Sequence, residues 1–138
     1  MAGEVKQVAL DWTGGLRFRG GEANLPAILV DGDGVEAPGP MAGLLVMLAS
    51  CTGADIVSIL EKMRALPERF RIEVQGTRRE EHPRRYTEVH LVFVLEGGAA
   101  EESKARRAVE LSLERYCSVL HSLREDIRIT HALRLAAG

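Results

Sequence analysis

The sequence predicts an α+β fold in the order βββ-α-ββ-α-β, with antiparallel sheets packed on two long central helices. Three observations predict it. Apolar and polar residues alternate with period two in the first thirty residues and again from about 70 to 95. Two stretches, Met41 to about Arg64 and Glu101 to Arg124, carry apolar residues at helical spacing. Glycine or proline separates the blocks up to the second helical stretch, and strands grouped apart from helices indicate α+β rather than a wound parallel sheet.

Taken in order, Val8, Leu10 and Trp12 alternate with Ala9 and Asp11, Gly14-Gly15 makes a turn, and Leu16 and Phe18 alternate with Arg17 and Arg19. The expected hairpin places both arginines on one face. Pro26 to Asp31 is a third strand, followed by the turn-rich DGDGVEAPGP. Pro40 suits a helix start and Leu66-Pro67 its end, with Ser50 or Gly53 as a break after Cys51. Phe70, Ile72 and Val74, then Val89, Leu91, Phe93 and Leu95, form a second hairpin around the charged segment TRREEHPRR. After Gly97-Gly98, Ala105, Ala108, Val109, Ser112, Leu113, Tyr116, Cys117, Leu120 and Leu123 share a helical stripe. The last strand puts Ile127, Ile129, His131, Leu133 and Leu135 on one side, with Arg128, Thr130 and Arg134 opposite.

No repeat or linker divides the chain, so residues 1–138 are expected to form a single domain. The first half of the helix after Pro40 is apolar on all sides, and one sheet covers only one side of a helix. A homodimer that buries the remainder is expected. The net charge of −2 argues against nucleic acid as a partner, which demands a basic surface, and the arginines are interleaved with acids as in EESKARR. The N-terminus has neither a basic nor an apolar leader region, and the longest unbroken apolar run, Leu44 to Ala49, is far short of a membrane span. A cytoplasmic location without membrane attachment is the expectation, and in that reducing compartment two cysteines point away from a structural disulfide.

Cys51 and Cys117 are the only cysteines, each inside an apolar helical segment. Taken singly, each reads as a small buried hydrophobe. If the helices pack together, one thiolate attacks a peroxide O–O bond and the other resolves the sulfenic acid. Attack needs a thiolate, and apolar surroundings raise a thiol's pKa unless a cation stands near; Arg17 or Arg19 is the candidate. Asp55, one turn after Cys51, reads either as a surface or interface ion pair or as a carboxylate bridged to the sulfur by an arginine. His121, four residues after Cys117, offers a Cys–His pair or a two-ligand metal half-site, too few ligands for structural zinc, and His82, His90 and His131 add no matching spacing; no resident metal or cofactor is expected. His131, in the apolar phase of its strand, reads as a core or interface histidine. Asp31-Gly-Asp33-Gly lacks the later acidic ligands of a calcium loop and reads as a turn. No phosphate-binding glycine loop opens a helix, and no GxSxG elbow is present.

Pro40 followed by LLVMLASC, the Asp55-Ile-Val segment, and AVELSLERYCSVLHSL around Cys117 together resemble the OsmC/Ohr family of thiol-dependent peroxidases. The resemblance implies an intertwined homodimer with active sites at the subunit interface. It implies that Cys51 is peroxidatic and Cys117 resolving, and that Arg17, with Arg19 as alternative, orients the reactive thiolate. It further implies organic hydroperoxides as substrates and an external dithiol, such as a lipoyl group, as reductant. The peroxidase branches carry a glutamate one or two residues after the proline to pair with the arginine, and here those positions are Met41 and Ala42. That departure leaves an alternative: a non-catalytic dimer holding a small hydrophobic ligand at the subunit interface.

Overall fold

The computed structural model describes residues 3–137 and contains, in order, β1 (Ala9–Gly14), β2 (Arg17–Gly21), β3 (Ile28–Asp31), α1 (Pro40–Lys62), β4 (Arg69–Arg78), β5 (Tyr86–Glu96), α2 (Glu102–Leu111), a π-turn (Ser112–Tyr116), α3 (Ser118–His121) and β6 (Arg128–Ala136). The α+β class and the strand grouping agree with the periodicity. Packing divides the chain into two compact units, one up to Leu44 and one from Leu45 onward.

The first unit is the three-stranded antiparallel sheet β1-β2-β3. Trp12 lies opposite Phe18 and Phe18 opposite Val30, while Leu10 and Ile28 flank Gly20, so these apolar residues share one face. Arg17 and Arg19 share the other face, as the alternation predicts. Gly20 permits the close pairing, because a Cβ there would run into the Ala9 carbonyl. The apolar face is open: Trp12 is 67 % exposed and Leu10, Ile28 and Phe18 are also exposed. After β3 the chain turns around Asp31, whose carboxylate accepts the backbone N–H groups of Asp33, Val35 and Glu36. These bonds stabilise the ionised form and hold its pKa below the usual value, so DGDG is a turn organised by its first aspartate.

The second unit is built on the sheet β4-β5-β6. The β4–β5 hairpin is antiparallel, with Ile72 opposite Phe93 and Val74 opposite Leu91. The expectation of wholly antiparallel sheets fails at β6, which runs parallel to β5 with Leu133 opposite Phe93. The reason is connectivity: the chain between β5 and β6 is a helical crossover, and a strand returning through a crossover to its neighbour lies parallel to it. Val89, Leu91, Phe93 and Leu95 are buried on the face where α1 packs, and Gly53 lets that helix approach until an added Cβ would lie 2.9 Å from Ile72.

Helix α1 is a single element of 23 residues that continues through Ser50 and Gly53. The packing of Gly53 against Ile72 and Phe70 of β4 offsets the glycine's low helix propensity. It ends where Arg64 takes a positive φ of 55° and the Ala65 N–H reaches back to the Leu60 carbonyl. By length and composition it is long and apolar enough to cross a membrane, and 28 % of its most apolar stretch is buried within the chain. The unbroken run Leu44 to Ala49 understates this, because small residues on either side keep the helix apolar.

The expected second long helix is also corrected. α2 stops at Leu111, a π-turn carries the chain to Tyr116, and Cys117 is extended at φ −70°, ψ 101° before the short α3 resumes.

Candidate active site

Helix α1 supplies Cys51, Thr52 and Asp55, and the π-turn region supplies Ser112 and Cys117. The contacts between these five residues tie the two segments together. Ser112 Oγ donates to Asp55 Oδ2 at 2.8 Å and lies 3.5 Å from the Thr52 carbonyl oxygen. At the far end of the turn, Cys117 Sγ lies 3.5 Å from Thr52 Oγ1. The Cys117 N–H closes the π-turn on the Ser112 carbonyl at 2.8 Å. The extra residue in the π-turn thus lets Ser112 and Cys117 both face α1. After the break Cys117 caps α3, its Sγ accepting the Leu120 N–H at 3.4 Å.

Both cysteines are free thiols and they differ in exposure: Cys51 is half-buried and Cys117 fully buried. The Cys117 pKa is raised, first by burial and further by the neighbouring Cys51 side chain, against the contact with the Thr52 hydroxyl and the hydrogen bond from the Leu120 N–H, which lower it. A buried thiol with a raised pKa is a poor first nucleophile. The thiol beside it, reachable from solvent, is better placed to meet a substrate.

Among the other residues singled out from the sequence, Asp55 is satisfied by Ser112, not by an arginine bridging it to sulfur. Arg17 has carboxylate partners within its own unit, with Nε 3.3 Å from Glu36 Oε2 and Asp31 near enough for its carboxylate to feel the charge. Arg19 stands beside Arg17 on that face, opposite Asp11 and Leu29. These arginines belong to the first unit and the thiols to the second. His121 turns its Nε2 to the Leu113 carbonyl at 3.1 Å, whereas the Cys117 sulfur is directed to Thr52, so the two do not converge as a ligand pair. His131 is exposed and meets the buried Phe93 edge-on at 6.4 Å between ring centroids, while His90 bonds Thr130 at 2.7 Å. Thr52 and Ser112 were missed as site residues. A hydroxyl directly after Cys51, and another five residues before Cys117, were the available signals.

The family described as OsmC-like protein matches residues 31–132. The chain belongs to the OsmC-like family. YhfA of Escherichia coli K12 is 38% identical over 133 residues, covering 96% of this chain and 99% of YhfA. A structure of a hypothetical protein from Aquifex aeolicus aligns with a TM-score of 0.89 and 32% identity, covering 98% of each chain. An organic hydroperoxide resistance protein from Legionella pneumophila shares the fold, with a TM-score of 0.69, 13% identity, and coverage of 97% of this chain and 99% of that one. The OsmC-like fold therefore extends over nearly the whole chain.

The raised Cys117 pKa gives this OsmC-like chain a defined alkaline response. In the unfolded chain the thiol ionises near its ordinary value of 9.0, before the folded protein does. The stabilisation from keeping Cys117 protonated is complete below that value and is lost as pH rises through the higher folded pKa. Across this window the expected slope is at most about 1.4 kcal/mol per pH unit. Urea unfolding of wild type and Cys117→Ala across the window should show the wild type losing stability faster. Parallel curves would remove the assignment.

Proposed function

We propose that this protein is a homodimeric thiol-dependent peroxidase that reduces organic hydroperoxides, and hydrogen peroxide as a second substrate, in oxidative-stress defence. The observation that carries the reading is the meeting of a half-exposed thiol, Cys51, with a buried neutral one, Cys117. The Cys51 thiolate attacks the peroxide, the O–O bond breaks, and the products are a Cys51 sulfenic acid and an alkoxide that takes a proton to become the alcohol. The Cys117 sulfur then displaces the sulfenic oxygen, which leaves as water with the Cys117 proton, and a Cys51–Cys117 disulfide forms. An external dithiol, such as a lipoyl group, restores both thiols and becomes a cyclic disulfide. Arg17, with Arg19 as alternative, stabilises the thiolate. The Arg17–Glu36 pair supports this role, because it gives the arginine a carboxylate that Met41 and Ala42 do not supply.

A homodimer is supported by the apolar surface left open on each unit: Leu10, Trp12 and Phe18 in the first, and Val46, Met47 and Val57 along α1 in the second. Cytoplasmic placement belongs to the same proposal, since a reducing compartment supplies the dithiol.

One observation favours the non-catalytic reading. An open, mainly apolar groove of about 730 Å³ runs between α1 and β4, lined among others by Ala49, Gly53, Val57, Phe70 and Ile72, and is large enough for a small hydrophobic ligand. Dithiol-dependent hydroperoxide consumption, followed by intact-mass analysis after mild peroxide treatment, separates the two readings. Loss of two hydrogens by formation of an intrachain Cys51–Cys117 disulfide is the expected result. Inert thiols with no peroxide consumption would leave the ligand-binding dimer.

A further inference from the structure

Thr52 is fully buried, and its hydroxyl lies between two acceptors, 2.7 Å from the Leu48 carbonyl oxygen and 3.5 Å from Cys117 Sγ. A threonine hydroxyl has one hydrogen. The short bond claims it for Leu48, so a lone pair of the oxygen receives the Cys117 S–H. The sulfur in turn accepts the Leu120 N–H. In this state the buried thiol has both a donor and an acceptor and is held neutral. Ser112, anchored on Asp55, fixes the other end of the π-turn, so α1 determines where the Cys117 sulfur stands relative to Cys51.

We propose that Thr52 is the positioning residue of the resolving step: its hydroxyl holds the Cys117 thiol in place and stabilises the sulfur as its proton leaves. As Cys117 attacks, its proton goes to the departing group, and the Thr52 hydroxyl turns its own hydrogen from the Leu48 carbonyl to the sulfur. One hydrogen bond replaces another while negative charge develops on Sγ. Leu48, one turn earlier in α1, accepts the hydroxyl hydrogen in the resting state. The inference deepens the peroxidase reading and rests on its pairing of Cys51 with Cys117, but its test needs no peroxide.

The probe is dithiodipyridine. The Cys51 thiolate attacks it, forming a mixed disulfide and releasing one thiopyridone. Cys117 then attacks the Cys51 sulfur of that mixed disulfide, forming the Cys51–Cys117 bond and releasing a second thiopyridone with the Cys117 proton. In Thr52→Val, which keeps the shape and removes the hydroxyl, the ratio of second to first release rate is expected to fall about tenfold, the worth of one hydrogen bond. The pH profile of the second step should move to the alkaline side, since the hydroxyl no longer stabilises the thiolate. Thr52→Ser should restore both rate ratio and profile, which a purely packing role would not do. An unchanged ratio and profile in Thr52→Val, or a Thr52→Ser variant as slow as Thr52→Val, would overturn the proposal, as would a single release from the wild type. Absence of hydroperoxide turnover alongside two releases would count against the peroxidase reading alone.

Discussion

Cys51→Ser is expected to abolish hydroperoxide turnover, by roughly a thousandfold or more, because a serine hydroxyl stays protonated where a thiol supplies an anion and oxygen is the poorer nucleophile toward peroxide. Cys117→Ser should behave differently. Its Cys51 still reacts, but nothing inside the chain captures the sulfenic acid. Excess peroxide should therefore carry Cys51 on to sulfinic acid, seen by mass as the gain of two oxygens, while turnover with a dithiol becomes slow. The contrast tests the order of events, which rests on exposure: Cys51 is half-buried and Cys117 fully buried with a raised pKa. Steady-state peroxide consumption with intact-mass analysis of both variants is the measurement. If Cys117→Ser lost all reaction with peroxide and Cys51→Ser kept it, the two roles would be reversed.

The largest effect on stability is expected at Phe93. It is fully buried in the central strand β5, paired with Ile72 of β4 on one side and Leu133 of β6 on the other, and its ring meets the edge of His131. Phe93→Ala removes a ring where three strands converge and should cost about 3–5 kcal/mol, the usual range for deleting a buried aromatic side chain. That is a large share of the roughly 5–15 kcal/mol that holds a domain together. Phe93→Leu should lose less, because it leaves a smaller cavity. Chemical denaturation of the two variants checks the ranking, and a loss below about 1 kcal/mol for Phe93→Ala would show that the sheet collapses freely into the space.

Much of this architecture was legible in the sequence, because burial imposes a period. Phe70, Ile72 and Val74 alternate with Arg71 and Glu73 in β4, and Val89, Leu91, Phe93 and Leu95 recur at the same period in β5 and are buried together. The Gly14-Gly15 hairpin was readable for a similar reason: both glycines take positive φ, and two-residue spacing puts Arg17 and Arg19 on one face. The second cysteine segment was harder. Ala105, Ala108, Val109, Ser112 and Cys117 are all buried as one helical stripe would have them, yet the helix is broken at the last of these. Nothing in SLERYCSV forbids continuous helix by propensity. The break goes with contacts from another element, Asp55 on Ser112 and Thr52 on Cys117, and local sequence carries no record of such long-range bonds.

The sequence by itself determined the order of the elements, the apolar character of α1, and the placing of two cysteines in segments able to meet. Tertiary structure decided which groups surround those thiols. Parallel pairing of β6 with β5 follows from a crossover whose path depends on packing. The partner of Asp55 is a serine from the far end of the chain, and the partner of Arg17 is a glutamate from the loop after β3. Periodicity reports which face of an element is buried. A hydrogen bond between residues 65 positions apart, such as Thr52 with Cys117, is set by distance and angle in the folded chain, and only the fold brings those atoms together.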